Sequence, residues 1–220
     1  AWGALGHALR EAAFELSDAR VTEAKCAWWA EELAGWGEGR SRHPLGRVLS
    51  RSEAPWSRLG QACLALAEAE PAQPDTAAAI GALMDPARAL AVVESALFTP
   101  AQPDPDPDRA ARAIAVHWLA QRVPAGVATD DRGRIPLHLV ARHGNAAFAE
   151  PGPARVALLR DWGAELLAAG GPDPAGPLFR RARSAFDRSR LQQLARTGEA
   201  GAAFPPATLW RAWHAARTMP

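Results

Sequence analysis

The chain has 220 residues, a formal net charge of +1 and 48% hydrophobic residues, enough apolar material for one globular core. This near-neutral charge gives no global basic face of the kind that nucleic-acid-binding proteins use, so we expect no nucleic-acid partner. No apolar run approaches the roughly 20 residues that a membrane-spanning helix needs, and no signal-peptide pattern opens the chain. The sequence therefore predicts a cytoplasmic protein whose contact with membranes is at most peripheral.

Helix-forming residues dominate the sequence, and residues that favour strands are scarce. We therefore predict an all-α fold, a single compact helical bundle that forms one domain over residues 1–220. Most of the 19 prolines fall where helices are predicted to begin, a position at which the missing N–H costs little. The predicted helices cover residues 4–19, 22–37, 55–71, 75–84, 86–98, 109–122, 154–169, 175–197 and 206–218, with short helices after Pro44 and Pro136.

Three smaller patterns refine this outline. Asp75 and Asp85 precede helical stretches and are predicted N-caps. Residues 100–108 alternate proline with aspartate, which favours extended backbone and predicts a surface loop between helices. Cys26 and Cys63 lie in predicted helices without a partner at metal-binding spacing, so we interpret them as buried thiols. The same spacing argument favours a structural or exposed position for the histidines His7, His117, His138, His143 and His214.

A tandem tryptophan pair marks the most distinctive segment of the chain. Trp28 and Trp29 precede paired acids that include Glu32, and a His43-Pro44 turn then restarts a helix. This order of residues resembles the squalene/phytoene synthase family. In that family a tryptophan–acid–leucine helix follows the first substrate-binding helix, and a His-Pro turn leads into the next one. The resemblance implies the isoprenoid (terpenoid) synthase fold.

A second segment that is similar to this family lies at residues 131–144. A Gly133-Arg134 pair is followed closely by Pro136, and the next predicted helix is closed by Gly144. In the family, a Gly-Arg pair followed by Leu-Pro ends the second aspartate-rich motif. The resemblance extends over about residues 5 to 200 and is specific at 23–49 and 131–144.

The resemblance implies a Mg²⁺ site, because the family binds prenyl diphosphates through Mg²⁺ held by carboxylates. Counting back from Gly133 places the family's two second-motif aspartates on Ala125 and Thr129. Neither side chain can replace a carboxylate. A shifted register would bring Asp130 or Asp131 into that position instead.

The first metal-binding motif of the family should lie on the helix before the tryptophan pair. In this chain Glu11, Glu15 and Asp18 stand there at i, i+4 and i+7, a spacing that predicts one helical face. Glutamate is longer than aspartate and would displace the metal. Two interpretations stay open, a surviving Mg²⁺ site or a solvated acidic face.

The C-terminal part of the chain is basic, since residues 176–220 carry a net charge of +6 and the remainder carries −5. Within this part, Arg180, Arg183 and Arg188 fall near one side of a predicted helix. They form either a solvated basic face or a surface for anions or membrane headgroups.

Without aspartates on both sides of a cavity, the charge of a diphosphate is not compensated and its ionisation is not assisted. The sequence therefore predicts a squalene/phytoene-synthase-like protein that is non-catalytic or weakened and retains a role in isoprenoid, lipid or protein binding. One alternative is an active Mg²⁺-dependent head-to-head prenyltransferase of isoprenoid biosynthesis that acts on prenyl diphosphates. A second alternative is a helical adaptor whose basic tail binds acidic partners.

Overall fold

The computed structural model describes residues 1–16, 18–70, 72–101, 106–126, 132–171 and 176–199, together with 210, 213, 214 and 217. Within these residues the chain forms α-helices and short turns, and no strand is present. The all-α prediction is confirmed. The more specific resemblance to the isoprenoid synthase fold stays a prediction.

In chain order, the helices are α1 (Trp2–Phe14), α2 (Ala19–Gly37), α3 (Gly46–Leu49), α4 (Trp56–Glu68), α5 (Thr76–Gly81), α6 (Met84–Phe98), α7 (Pro107–Gly126), α8 (Leu137–His143), α9 (Ala146–Ala149), α10 (Pro153–Gly170) and α11 (Leu178–Thr197). None of these helices is long and apolar enough to cross a membrane. Contacts within the chain divide it into two compact units. The first unit is Ala1–Ala69 with Leu83–Ala111, and the second unit is Glu70–Ala82 with Arg112–Pro220.

The core of the first unit is built on the contact between α2 and α4. Gly60 in α4 makes this contact close, because a Cβ atom at that position would lie 2.9 Å from the carbonyl oxygen of Ala30 in α2. Further along the pair, Trp36 and Trp56 are both buried and meet edge to face, with ring centroids 5.1 Å apart. Glycine and tryptophan together thus fix how these two helices pack.

The core of the second unit is centred on α10, which contacts α5, α8, α9 and α11. Trp162 and Leu166 on α10 are fully buried, as their helical spacing in the sequence predicts. Gly163 permits the close approach of α11, since a Cβ atom there would lie 2.9 Å from the backbone nitrogen of Ala195.

The first residues of α5 and α6 show whether Asp75 and Asp85 are the N-caps that the sequence predicts. The carboxylate of Asp75 accepts the N–H of Ala78 at 2.8 Å, so the predicted N-cap of α5 is confirmed. The prediction that Asp85 caps a helix is wrong, because α6 already begins at Met84. Asp85 lies in the first turn of α6 and pairs instead with Arg88 at 2.6 Å.

Other parts of the predicted outline differ from the structure or fall outside the described residues. The helix predicted over residues 4–19 is interrupted after Phe14, and the short helix Ala146–Ala149 was not predicted. Residues 102–105 of the predicted Pro/Asp loop, and most of the predicted helix 206–218, lie outside the described residues. The expectation of one domain stays a prediction.

Candidate functional site

The carboxylate of Glu32 is buried near the end of the tryptophan-containing helix α2. Its Oε1 accepts hydrogen bonds from the indole of Trp36 at 2.7 Å and from the backbone N–H groups of Arg42 and His43, both at 2.8 Å. Its Oε2 accepts the Nε–H of Arg42 at 3.0 Å. Burial alone would raise the pKa of Glu32, but these hydrogen bonds lower it to about 2. The carboxylate is therefore ionised at neutral pH and is fully used in holding the chain after α2.

The two tryptophans of the same motif pack around His43. The His43 ring centroid lies 5.0 Å from that of Trp29 and 6.0 Å from that of Trp28. Trp29 is buried, and Trp28 is 36% exposed. The guanidinium of Arg42 lies 5.6 Å from the Trp28 ring centroid.

The turn that contains Pro44 is closed by small residues and local hydrogen bonds. His43 Nδ1 accepts the N–H of Leu45 at 3.2 Å, and the hydroxyl of Ser41 donates to the His43 carbonyl at 3.0 Å. Glycine is required at position 46, because a Cβ atom there would lie 2.6 Å from the indole nitrogen of Trp36. The distinctive residues of this segment thus build the corner between α2 and α3.

The candidate metal ligands Glu11 and Glu15 are each paired with a cation. Glu11 Oε1 accepts a hydrogen bond from Nζ of Lys25 at 2.9 Å, and this hydrogen bond lowers the pKa of Glu11. Glu15 Oε1 lies 3.1 Å from Nη2 of Arg10. Both carboxylates therefore already have a neighbouring positive charge, which is the role that a metal ion would take in the family.

The prediction that Asp18 shares a helical face with the two glutamates is wrong. Helix α1 ends at Phe14, and Asp18 is the N-cap of α2, where its carboxylate accepts the N–H of Arg20 at 2.8 Å. Among the described residues, no group of three or more His, Cys, Asp or Glu side chains is arranged to hold a metal ion. The other two candidates, Asp130 and Asp131, lie outside the described residues.

The second motif segment contains an unusual turn. Arg132, Gly133 and Arg134 have φ values of 47°, 66° and 56°, so three successive residues adopt the left-handed region. That conformation suits glycine, but it costs each arginine about 1–2 kcal/mol. Pro136 then stands at the N-cap of α8, and Gly144 ends that helix with a φ of 74°. The short helix predicted between this proline and this glycine is confirmed.

The arginines predicted to form an anion-binding surface do not share one environment. Arg180 is completely buried, so the prediction that it belongs to an exposed surface is wrong. Arg183 is half-buried, with its guanidinium 5.3 Å from the ring centroid of Phe179. Arg188 donates from Nη2 to the carbonyl oxygen of Gly171 at 2.7 Å. Of the three, Arg188 lines a cleft.

This cleft lies within the second unit, between α7, α10 and α11. Its cavity volume is about 30 Å³, and the cleft is partly open to solvent. It is lined by Ala113, Val116, Leu166, Leu167, Gly170, Gly171, Ser184, Asp187, Arg188 and Leu191. Aliphatic side chains form most of the wall, and the charged lining residues Asp187 and Arg188 have opposite signs.

A part-buried His–Asp pair stands beside the cleft. Asp187 is 5% exposed, and its Oδ2 lies 2.7 Å from Nδ1 of His117. The two residues are 70 positions apart in the sequence and lie on different helices. No local pattern could therefore have predicted the pair.

A second polar cluster ties α8 and α5 to α10. His138 Nε2 lies 3.0 Å from both carboxylate oxygens of Glu165, which also accepts the hydroxyl of Thr76. One turn away, His143 Nε2 lies 2.9 Å from Oδ2 of Asp161. Sequence reasoning missed this cluster, although the i, i+4 spacing of Asp161 and Glu165 is a usable signal.

No protein-family model, curated protein or solved structure matches the chain. The resemblance to squalene/phytoene synthases therefore rests on the two sequence segments, and it stays a prediction.

Proposed function

We propose that the protein is a non-catalytic helical protein that binds an isoprenoid or similar lipid in the cleft between α7, α10 and α11. The observation that carries this proposal is the wall of the cleft, in which Val116, Leu166 and Leu191 present aliphatic surface. Ligand sites are commonly concave, mostly apolar and about 300–1,000 Å³ in volume. The cleft, at about 30 Å³, lies well below that range, so a prenyl chain would bind along its open side and would have to move the lining side chains apart.

The charges of the cleft favour a lipid with a neutral or singly charged head group. Among the lining residues, Arg188 is accompanied by Asp187, so the two formal charges cancel. A diphosphate carries several negative charges, and without compensating cations its transfer from water is unfavourable. A prenyl alcohol has no such cost.

The absence of catalysis is supported by the partners of the candidate metal ligands. Glu11 is bonded to Lys25, and Glu15 is paired with Arg10. A Mg²⁺ ion would have to displace both ammonium and guanidinium groups to reach these carboxylates. The substitution of the expected second-motif aspartates by Ala125 and Thr129 points in the same direction.

The expected affinity is modest. Farnesol has 16 non-hydrogen atoms, and drug-sized ligands gain about 0.3 kcal/mol per atom, which corresponds to about 5 kcal/mol and a Kd on the order of 0.1–1 mM. Titration of the protein with farnesol, followed by tryptophan fluorescence or calorimetry, measures this value.

Substitutions at two separate glycines, one lining the cleft and one in α1, provide a test variant and a matched control for this titration. Gly170 lines the cleft, and a Cβ atom there would lie 3.8 Å from Cγ1 of Val116, an ordinary contact that a helix tolerates. Gly170→Leu places a larger side chain in the cleft and should weaken farnesol binding at least tenfold. Gly6→Leu lies in α1 with no atom within 4 Å of the added Cβ and should leave the affinity unchanged. Equal affinities for the two variants, or no binding by the unmodified protein, would refute the proposal.

Peripheral membrane contact is a second candidate function, favoured by two exposed tryptophans near the C-terminus. Trp210 and Trp213 are 61% and 53% exposed, and the guanidinium of Arg217 lies 4.4 Å from the Trp213 ring centroid. Tryptophan and arginine side by side are typical of segments that lie at a membrane interface. Cosedimentation with anionic vesicles should fall for Trp210→Ser plus Trp213→Ser, whereas Val48→Ser, another exposed apolar position, should bind as the unmodified protein does. Failure of the unmodified protein to sediment with the vesicles excludes this function.

A further inference from the structure

The two cysteines of the chain lie on facing helices of the first unit. Cys26 in α2 is 0% exposed and Cys63 in α4 is 3% exposed. These are the only cysteines in the sequence, so a disulfide within one chain could join them in only one way. Their positions on neighbouring helices were not foreseen from the sequence, in which 36 residues separate them.

The packing of α2 against α4 brings the two cysteines to the same level of the helix pair. The closely approaching residues Ala30 and Gly60 mark one level of this helix pair. Cys26 lies four residues before Ala30, and Cys63 lies three residues after Gly60. In an antiparallel pair both steps move about one helical turn in the same direction, which places the cysteines at a common level.

The two thiols influence each other, and their pKa values shift in opposite directions. The neighbouring Cys63 thiol lowers the pKa of Cys26 against the opposing effect of burial, and the charge of Lys25 acts in the same lowering direction. Cys26, together with burial, raises the pKa of Cys63. Cys26 is thus the better thiolate of the pair, and Cys63 stays protonated.

We propose that Cys26 and Cys63 are a site of reversible oxidation, at which a hydroperoxide converts the two thiols into an intramolecular disulfide. The Cys26 thiolate attacks one peroxide oxygen, the O–O bond breaks, and hydroxide leaves, so that Cys26 becomes a sulfenic acid. The Cys63 sulfur then attacks the Cys26 sulfur, the S–O bond breaks, and the Cys63 proton leaves with the oxygen as water. Two thiols and one hydrogen peroxide give one disulfide and two waters.

Burial sets the rate of this reaction and does not prevent it. Hydrogen peroxide is small and uncharged, and it reaches buried thiols when helices open locally. Oxidation should therefore be slow in the folded protein and should accelerate in mild denaturant. A larger oxidant, such as a disulfide-containing peptide, should react far more slowly than hydrogen peroxide.

The disulfide would lock the corner between α2 and α3. Residues 27–62 lie inside the closed loop, and they include Glu32 and the turn that its carboxylate holds. Closing a loop of this length should raise Tm by about 5–10 °C if the bond forms without much strain. Oxidation would thereby make the first unit more rigid.

The test uses the full chain, treated with hydrogen peroxide and then analysed without reductant. We expect a mass lower by two hydrogen atoms, loss of both free thiols, an increase in Tm, and full reversal by dithiothreitol. A protein that keeps both free thiols overturns the proposal, and so does one that forms crosslinks only between two chains.

Single alanine variants test the assigned roles, because alanine preserves an apolar side chain in the core. With Cys63→Ala, peroxide should leave a sulfenic acid on Cys26 that dimedone traps, and Tm should not rise. With Cys26→Ala, dimedone should label Cys63 at least tenfold less. Preferential labelling of Cys63 overturns the assignment of Cys26 as the attacking thiolate. The mass measurement on the unmodified protein decides the disulfide itself, even if either variant folds poorly.

Discussion

Replacing Glu32 by glutamine removes one negative charge from a buried position without changing the shape of the side chain. The Glu32 side chain is 1% exposed, and it accepts hydrogen bonds from two backbone N–H groups, the Trp36 indole and the Arg42 guanidinium. Glutamine keeps one acceptor oxygen and turns the other position into a donor. With the carbonyl oxygen in the Oε1 position, the new amide faces the Nε–H of Arg42, which loses its acceptor, and the three remaining hydrogen bonds lose the negative charge that strengthens them.

The magnitude follows from the pKa of Glu32. Hydrogen bonding lowers it from 4.5 to about 2 despite burial, a change that corresponds to about 3 kcal/mol of stability at neutral pH. For a protein of this size, about 3 kcal/mol corresponds to a fall in Tm of about 6–12 °C. We expect Glu32→Gln to lower stability by this amount.

Glu31→Gln is the matched control, because Glu31 is the preceding residue, carries the same charge and contacts the same arginine. Its side chain is 72% exposed and lies 3.5 Å from Arg42. Exposed ion pairs contribute about 0–1 kcal/mol, so this variant should differ little from the unmodified protein. Urea unfolding followed by tryptophan fluorescence at pH 7 measures both. If Glu32→Gln is no less stable than Glu31→Gln, the structural role assigned to Glu32 is refuted.

The lowered pKa of Glu32 also predicts how the stability of the protein depends on pH. Because the pKa of Glu32 is lower in the folded protein, its contribution is fully present above about pH 5 and is lost as the pH falls towards 2. The difference in stability between the unmodified protein and Glu32→Gln should therefore narrow over this range. A difference that stays constant from pH 7 to pH 3 would contradict the lowered pKa.

Three further variants test other parts of the structure by urea unfolding. Gly60→Ala should destabilise the protein by about 1–3 kcal/mol, because its Cβ would lie 2.9 Å from a backbone oxygen of α2. Gly6→Ala, whose Cβ would lie in open space, should instead increase the free energy of unfolding by about 0.5–1 kcal/mol. Stability changes of the same sign for both variants would refute the close contact. Arg180→Ala should cost at least about 2 kcal/mol because the side chain is fully buried, whereas exposed Arg196→Ala on the same helix should stay within about 0.5 kcal/mol. Asp75→Ala should cost about 1 kcal/mol through loss of the α5 N-cap, and an unchanged midpoint would show that the cap is unimportant.

Much of the fold could be predicted because the signals are local. Proline and aspartate at helix starts depend on backbone groups within a few residues, so the cap at Asp75 and the short helix after Pro136 were found. The N-cap predicted at Asp85 was wrong although Asp85 has the same local pattern, because α6 begins one residue earlier. Local rules predict that a helix begins in a region more reliably than they predict its first residue.

The candidate sites were less predictable because burial and pairing depend on tertiary contacts. The spacing of Glu11 and Glu15 gives no sign that Lys25, on the next helix, binds one of them. The sequence of α11 likewise does not reveal that Arg180 faces the interior. Glu32 was recognised from its motif, but the motif does not indicate that the following turn folds back and donates two backbone N–H groups to its carboxylate.

The central claim, that the cleft of the second unit binds a prenyl lipid without converting it, is tested most directly by comparing farnesol with farnesyl diphosphate in the presence of Mg²⁺. We expect farnesol to bind with a Kd on the order of 0.1–1 mM and the diphosphate to bind no more tightly. The diphosphate should be recovered intact, with no release of pyrophosphate above background. Binding of the diphosphate that is tenfold tighter with Mg²⁺ than without it, accompanied by pyrophosphate release, would contradict the claim and identify the protein as an active prenyltransferase.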